Sequence, residues 1–182
     1  MRDQLRIGIF TIIEVATLAV WLVLARGAAS IGSMIAALAV LVVGFTIEHI
    51  LAYNVIHNRG LLDLPGVPIG QKAVVSLIES AIWALWLVLA NLNLILAAIV
   101  LAGLLILEHT VLDNVFKGRG LFSKLLDART IGFSLIEAVG AAIWLALVEA
   151  NLAVVGIVIL AVASFIEHTL AVALARKQTV AA

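Results

Sequence analysis

The sequence contains no cysteine and very little charge, and both shortages narrow the kinds of protein it can be. Without cysteine the chain cannot form disulfides, thiolate metal sites or haem attached through cysteine. Charged residues make up 12% of the chain, against about a quarter in ordinary soluble domains. Because there is no basic stripe outside the loops between the apolar runs, we expect no nucleic-acid partner.

Apolar residues take the place of charge. They make up 65% of the 182 residues, and the mean hydropathy is +1.26. A helix needs about 20 apolar residues to cross the bilayer core. The sequence therefore predicts an all-α integral membrane protein, with one domain over 1–182 that spans the lipid bilayer with six transmembrane helices. The six apolar stretches cover 7–25, 31–56, 73–90, 93–116, 131–149 and 151–175.

The chain repeats itself three times, with boundaries near 1–59, 60–119 and 120–182. Each repeat contains Thr/Ser-Ile/Leu-Ile-Glu, a tryptophan seven residues after that glutamate, a short turn, and a Glu-His pair in a second apolar run. Parallel repeats of this kind build membrane bundles. We therefore predict three helical hairpins around a pseudo-threefold axis normal to the membrane. The first glutamates are Glu14, Glu79 and Glu137, and the pairs are Glu48-His49, Glu108-His109 and Glu167-His168.

The basic residues are distributed unequally between the two ends of the predicted helices. Of the 11 Lys and Arg residues, only Arg26 lies at the end away from the termini and the two long loops. Cytoplasmic loops of membrane proteins carry an excess of Lys and Arg. The sequence therefore predicts that both termini lie in the cytoplasm.

The repeated glutamates and histidines fall at one predicted depth. Each first glutamate is about eight to ten residues from the cytoplasmic end of its helix, and each Glu-His pair is about as far from the cytoplasmic end of its own helix. At about 1.5 Å per residue, this places all of them in one layer roughly 13 Å below the cytoplasmic surface. We expect them to converge there.

Such a layer needs compensation for its charge. A carboxylate near the middle of a transmembrane helix costs about 2.5–3.5 kcal/mol, and three imidazoles cannot neutralise six carboxylates. Either several glutamates are protonated, or cations occupy the layer. Carboxylate and imidazole without thiolate suit Fe, Mn or Zn, and two Glu and one His per repeat equal half of a di-iron carboxylate site. We therefore predict a centre of two or three metal ions. Its ligands are Glu14, Glu48, His49, Glu79, Glu108, His109, Glu137, Glu167 and His168.

The spacing of the paired ligands differs from that of di-iron bundles, which use Glu-x-x-His on one helix face. Here Glu and His are adjacent, and adjacent side chains point about 100° apart around a helix. We therefore expect that one helix does not easily offer both groups to a single ion. In the predicted ring, each His points towards the axis and each Glu leans towards an ion shared with the neighbouring hairpin.

Thr11, Ser76 and Ser134 lie three residues before the first glutamates, on the same helix face. Two roles are open for these hydroxyls. They orient the carboxylates from outside the ligand shell, or they bond back to a carbonyl of their own helix. Asp113 lies four residues after His109 and is a further candidate for an outer partner, because its carboxylate can accept a hydrogen bond from the second ring nitrogen.

Trp21, Trp86 and Trp144 lie seven residues after the first glutamates, which is two turns deeper on the same helix face. Two interpretations are open for them. They line an apolar substrate cavity, or they serve core packing or an aromatic belt at the outer interface. Trp83 has no counterpart in the other repeats and is assigned to packing or to the lipid-facing surface.

The expected function is metal-assisted chemistry on a lipid-soluble substrate, with oxidation if the metal is iron and hydrolysis if it is zinc. The sequence does not name the catalytic residues, and it leaves open whether the protein is an enzyme. One alternative is a transporter of divalent metal or protons, although the outer halves of the helices are nearly free of polar residues apart from Glu149. A second alternative is a structural polar network. Haem is disfavoured because six glutamates make an acidic pocket for an anionic cofactor.

Overall fold

The computed structural model describes the backbone of residues 2–116 and 128–180 and the side chains of residues 3–110 and 128–175. The protein is all-helical, with six helices in the described residues, as the sequence predicted. Five of them are long and apolar enough to cross a membrane by length and composition, and the described apolar part of the remaining helix, Leu94–Thr110, is shorter. The helices are α1 (Arg2–Arg26), α2 (Ile31–Ile56), α3 (Ile69–Ala90), α4 (Leu94–Phe116), α5 (Ala128–Glu149) and α6 (Ala153–Val180).

Polar side chains fix the turns between the paired helices. At the start of α2, the Ser30 hydroxyl accepts the backbone N–H of Ser33 at 3.2 Å, and the Ser33 hydroxyl accepts that of Ser30 at 3.0 Å. This reciprocal capping box satisfies two N–H groups that the helix leaves without partners. The Asn93 side chain accepts the N–H of Leu96 at 2.9 Å in the same way. Asn151 adopts a φ of 61° between α5 and α6, a conformation that asparagine tolerates better than most residues.

Small residues allow the helices to approach closely. A Cβ added at Gly44 would lie 2.7 Å from the Cβ of Thr17, so α1 and α2 touch almost backbone to backbone. A Cβ added at Gly140 would lie 2.5 Å from the Cβ of Ala163, which shows the same closeness between α5 and α6. Contacts of this kind are typical of helices that associate by van der Waals packing in lipid.

The distribution of exposed and buried side chains is inverted relative to that of a soluble protein. Large apolar side chains face outwards, with Ile12, Val23 and Ile95 between 66% and 74% exposed. Charged side chains are instead buried, including the carboxylates of Glu14 and Glu48 at 4% and 5%. An exterior this apolar is typical of a protein surrounded by hydrocarbon.

The chain divides into two compact units. The first unit comprises the described residues up to Ala81 together with those from His168 onwards, and the second unit comprises Ile82–Glu167. The division falls inside α3 and α6, so the first unit contains α1, α2 and one end of each divided helix. The second unit contains α4, α5 and the rest of α3 and α6. The predicted single domain and its repeat boundaries stay predictions.

Candidate functional site

The same contact between a histidine and a hydroxyl occurs three times. His49 on α2 places Nδ1 2.9 Å from Oγ of Ser76 on α3. His109 on α4 places Nδ1 2.9 Å from Oγ of Ser134 on α5. The third contact joins the last helix to the first, with Nδ1 of His168 on α6 2.9 Å from Oγ1 of Thr11 on α1. Each repeated histidine therefore bonds the hydroxyl on the first helix of the next hairpin along the chain. The histidine of the third hairpin bonds the hydroxyl of the first hairpin.

The direction of these hydrogen bonds follows from a second partner of each hydroxyl. Oγ1 of Thr11 lies 2.9 Å from the carbonyl oxygen of Ile7, and Oγ of Ser76 lies 2.8 Å from the carbonyl oxygen of Lys72. Oγ of Ser134 lies 2.9 Å from the carbonyl oxygen of Thr130. A carbonyl only accepts and a hydroxyl has one proton, so each hydroxyl donates to its own helix and accepts from the imidazole. The network thus assigns the ring proton to Nδ1, and a neutral ring carries its lone pair on Nε2.

One of the two roles left open for the three hydroxyls is observed, because each bonds a carbonyl of its own helix. The further partner of each hydroxyl is an imidazole, which the sequence did not predict. In the first unit, Thr11 and Ser76 therefore orient His168 and His49.

In the first unit, the Nε2 edge of His49 faces two carboxylates. Its Nε2 lies 3.4 Å from Oε2 of Glu79 and 3.5 Å from Oε2 of Glu48. The adjacent Glu48 and His49 thus bring their polar ends close together, while the expectation that one helix does not easily offer both groups to a single ion stays a prediction. Their side chains are long enough to bring their polar ends together despite diverging at the backbone.

His168 repeats this arrangement within the same unit. Its Nε2 lies 3.6 Å from Oε2 of Glu14 and 3.8 Å from Oε1 of Glu48. The ring of Phe10 packs edge-on against the imidazole, with centroids 4.6 Å apart. The two oxygens of Glu48 therefore face two different histidines, which makes Glu48 the central carboxylate of the first unit.

The separations between Nε2 and the carboxylate oxygens can be compared with those of a hydrogen bond and with those between two ligands of one metal ion. At 3.4–3.8 Å they exceed the usual N···O hydrogen bond of about 2.7–3.2 Å. Two ligands at about 2.0–2.1 Å from one tetrahedral metal lie about 3.3 Å apart. As the side chains stand, no group of three or more His, Asp and Glu within the described residues is arranged to hold a metal ion.

The second unit holds the remaining predicted ligands, Glu108, His109, Glu137 and Glu167. Glu137 and Glu167 are buried, whereas Glu108 and His109 are half-buried. Among the described residues, the polar contact of His109 is its bond to Ser134, three residues before Glu137 on α5. That all nine predicted ligands belong to one centre stays a prediction. The side chain of Asp113 lies outside the described residues.

All four tryptophans are buried within the protein. In the second unit, Trp86 and Trp144 stack with ring centroids 6.4 Å apart, and Trp83 packs edge-on against Trp86 at 5.3 Å. Trp83 therefore packs inside the protein and does not face lipid. Trp83 breaks the repeat, but its spacing of three residues from Trp86 on α3 is a signal in the sequence that the two rings share one helix face.

A group of basic side chains surrounds Tyr53 at the end of α2 in the first unit. Nζ of the buried Lys72 lies 5.2 Å from the Tyr53 ring, the guanidinium of Arg59 lies 5.9 Å from it, and the His57 ring lies 4.2 Å away. Partial burial, followed by the charges of Lys72 and Arg59, lowers the pKa of His57 below its usual value. Only the fold brings these basic side chains to one ring, so the sequence did not predict the cluster.

Comparison of the chain with models of protein families, with curated proteins and with solved structures gave no significant match.

Proposed function

We propose that the three helical hairpins of this chain span a membrane around a pseudo-threefold axis, with both termini in the cytoplasm. The apolar exteriors of the helices support the membrane placement. The repeated bond from each histidine to the next hairpin supports the threefold arrangement, because a ring of repeats gives each hairpin the same neighbour. The concentration of Lys and Arg at one end supports the orientation.

The proposed function is that of a membrane-embedded carboxylate–histidine metalloprotein with a multinuclear centre. The observation that carries it is the orientation of the imidazoles in the first unit. Each ring donates Nδ1–H to a hydroxyl and turns Nε2 towards two buried carboxylates. A lone pair facing carboxylate oxygens is repulsive unless a proton or a metal ion lies between them, and histidines that bind metals characteristically donate their other N–H to an outer partner.

The central position of Glu48 suggests which residues would hold two ions in this unit. His49, Glu48 and Glu79 would hold one ion. His168, Glu14 and Glu48 would hold the other. Three protein ligands would leave a position for water or substrate, as in catalytic zinc sites. The matching groups of the second unit are the proposed ligands of a third ion: Glu108, His109, Glu137 and Glu167.

This ligand set suits iron, manganese or zinc, and the identity of the metal decides the chemistry. Iron would serve oxidation of a substrate, whereas zinc would serve hydrolysis by an activated water. The substrate we propose is lipid-soluble, because the helices that carry the ligands present apolar side chains to their surroundings.

The test is elemental analysis of the detergent-purified protein, in metal atoms per chain. We expect two or three equivalents of iron, manganese or zinc. The variant with His49→Ala, His109→Ala and His168→Ala should lose them. His57→Ala is the matched control, because it removes the remaining histidine, which lies outside the candidate ligands. It should keep its metal.

A protein that is folded and free of metal, or a triple variant that keeps its metal, would contradict the proposal. Reconstitution into liposomes then separates the alternatives. Flux of protons or divalent metal that Glu108→Gln abolishes would identify a transporter, and an absence of flux would favour a structural network.

A further inference from the structure

Basic side chains converge in the first unit where α2 ends and α3 begins. Around the ring of Tyr53 lie the guanidinium of Arg59 at 5.9 Å, Nζ of Lys72 at 5.2 Å and the His57 ring at 4.2 Å. The excess of cations on one side of membrane proteins explains basic residues in exposed loops. It does not explain why Lys72 is buried, at 5% exposure, against a ring that two other basic groups share.

The cluster opens to the surface of the protein on the side of His57. His57 is exposed, and so are Asn58 and Gly60, the two neighbours of Arg59 in the chain. The Arg59 side chain keeps 22% of its surface exposed. A ligand therefore needs no internal cavity, because it can reach His57 and Arg59 from outside the protein while the charge of Lys72 acts from the buried side.

Arg59 has hydrogen-bonding capacity left for an anion. Its Nε and Nη2 lie 3.3 Å from Oδ2 of Asp63, and Nη2 also donates to the carbonyl oxygen of Pro65. Within the part of the chain that the structure describes, Nη1 has no hydrogen-bond acceptor. A guanidinium offers five N–H donors in a planar fork that matches phosphate oxygens. Because Asp63 is 43% exposed, its ion pair with Arg59 is weak and does not exclude a second anion.

The ends of the neighbouring helices leave the region suited to negative charge. The carbonyl groups at the end of α2 carry partial negative charge, which repels anions. Arg6 on α1 offsets this charge, since its Nη2 donates to the carbonyl oxygen of Arg59 and lies 3.5 Å from that of Asn54. The first turn of α3, which carries Lys72, has the partial positive charge of a helix N-terminus.

The charged groups that act on the exposed His57 ring are cations. Partial burial, together with Lys72 and Arg59, lowers the pKa of His57. The carboxylates of the region act on other groups: Asp3 on Arg6 at 3.9 Å, Asp63 on Arg59 at 3.3 Å and Glu48 on Lys72. The potential at His57 is therefore positive, so that an anion bound there is attracted and favours the protonated ring.

We propose that His57, Arg59 and Lys72 form a binding site for a phosphate group at the surface where α2 ends and α3 begins. Arg and Lys bind phosphate oxygens through charge-assisted hydrogen bonds, and a protonated His57 adds a further donor. Basic pockets between transmembrane helices on the cytoplasmic side bind phosphate-bearing headgroups, and the proposed orientation places this cluster on that side. The phosphate belongs to an anionic lipid headgroup or to a soluble compound. The site goes beyond the proposed metal centre and needs no metal.

The test follows the His57 ring of the full chain by NMR through a pH titration, and His57→Gln identifies its signal. In detergent the probe is inorganic phosphate. In phosphatidylcholine nanodiscs the probe is added phosphatidylglycerol, and added oleate supplies negative charge without phosphate. Either phosphate probe should raise the pKa of His57 by about one pH unit, because the anion favours the protonated ring. A larger rise with phosphatidylglycerol than with oleate identifies a headgroup, whereas a rise with inorganic phosphate alone identifies a soluble source.

Three variants test the residues of the site. Arg59→Gln and Lys72→Met each remove one cation and should weaken binding of the responding probe about tenfold, measured as the probe concentration that gives half of the NMR response. Lys72→Met also serves if loss of the bonds to Asp63 and Pro65 unfolds the Arg59 variant. Arg129→Gln is the matched control, because it removes an exposed cation at the start of α5 in the second unit. It should bind the probe normally.

Three results would overturn the inference. The first is a pKa of His57 that no probe changes. The second is a rise with oleate equal to that with phosphatidylglycerol, combined with no response to inorganic phosphate. The third is a loss of binding in Arg129→Gln as large as in Arg59→Gln, which would reveal a general surface potential. A phosphate response in a protein that elemental analysis finds metal-free leaves this site standing while the metalloprotein proposal fails.

Discussion

The two units of the protein contain the same repeated motif in different surroundings. In the first unit, His49 and His168 each bond a hydroxyl through Nδ1 and face two carboxylates through Nε2, sharing Glu48. In the second unit, His109 has the same bond to Ser134, but no carboxylate contact accompanies it among the described residues. The histidine–hydroxyl bond therefore recurs in both units, whereas the contacts between imidazole and carboxylate differ between them.

The largest effect on metal content should come from removing the charge of Glu48, the carboxylate that faces two imidazoles in the first unit. Glu48→Gln keeps the shape of the side chain but removes the charge that faces two imidazoles. We expect it to lose both metal ions proposed for the first unit, because Glu48 is the one proposed ligand common to the two. Glu108→Gln, the matched change in the second unit, should lose one ion at most. Elemental analysis measures both variants, and equal losses would show that Glu48 is not common to two ions.

The hydroxyls test whether the imidazole orientation matters in both units. Ser76→Ala and Ser134→Ala each remove an acceptor of Nδ1–H, one in each unit. Loss of such an outer partner typically lowers metal affinity about 10- to 100-fold. We expect a loss in that range for Ser76→Ala, measured by competition with a chelator. Thr11→Ser keeps its hydroxyl and should bind normally. If the alanine variants change only the melting temperature, the hydroxyls have a purely structural role.

The glycines test whether close helix packing is equally strict in the two units. Gly44→Ala in the first unit and Gly140→Ala in the second place a methyl group against Thr17 or Ala163. Overpacking of this kind costs about 1–3 kcal/mol. Gly103→Ala is the control, because a Cβ there meets nothing within 4 Å. That substitution should be neutral or stabilise by about 0.4–1 kcal/mol. Thermal unfolding in detergent ranks the variants, and a stable Gly140→Ala protein would refute the tight contact.

The sequence predicted the helices well because each must be apolar over about 20 residues. The predicted stretch 31–56 coincides with α2, Ile31–Ile56. The predicted stretch for α3 began at 73, whereas the helix begins at Ile69. The prediction missed this first turn because Gly70 to Lys72 are polar or small, although they are helical. Hydropathy measures apolarity and therefore misses polar turns that continue a helix.

The site was predictable as a set of residue types and less so as a set of contacts. Periodicity alone identified the repeated Glu and His residues, since ionisable groups stand out in apolar runs. The partner of each hydroxyl depends on which helix lies beside it, and no spacing within one helix reveals that. For Trp83 the sequence left packing and a lipid-facing position open, because this residue belongs to no repeat. The structure shows it packed against Trp86.

The smallest expected effect concerns the pH dependence of stability that His57 causes beside Tyr53 in the first unit. The pKa of His57 is lowered by partial burial and by Lys72 and Arg59, so the folded state favours the neutral ring. An unfolded chain binds the proton more readily, with a pKa of about 6.5. The contribution of His57 to stability is therefore present above about pH 6.5 and is lost as the pH falls below it. His57→Gln should reduce the drop in melting temperature between about pH 7.5 and about pH 5.5. Because the ring is largely exposed, the difference should be small. An unchanged or steeper pH dependence would show that the cations around Tyr53 do not act on His57.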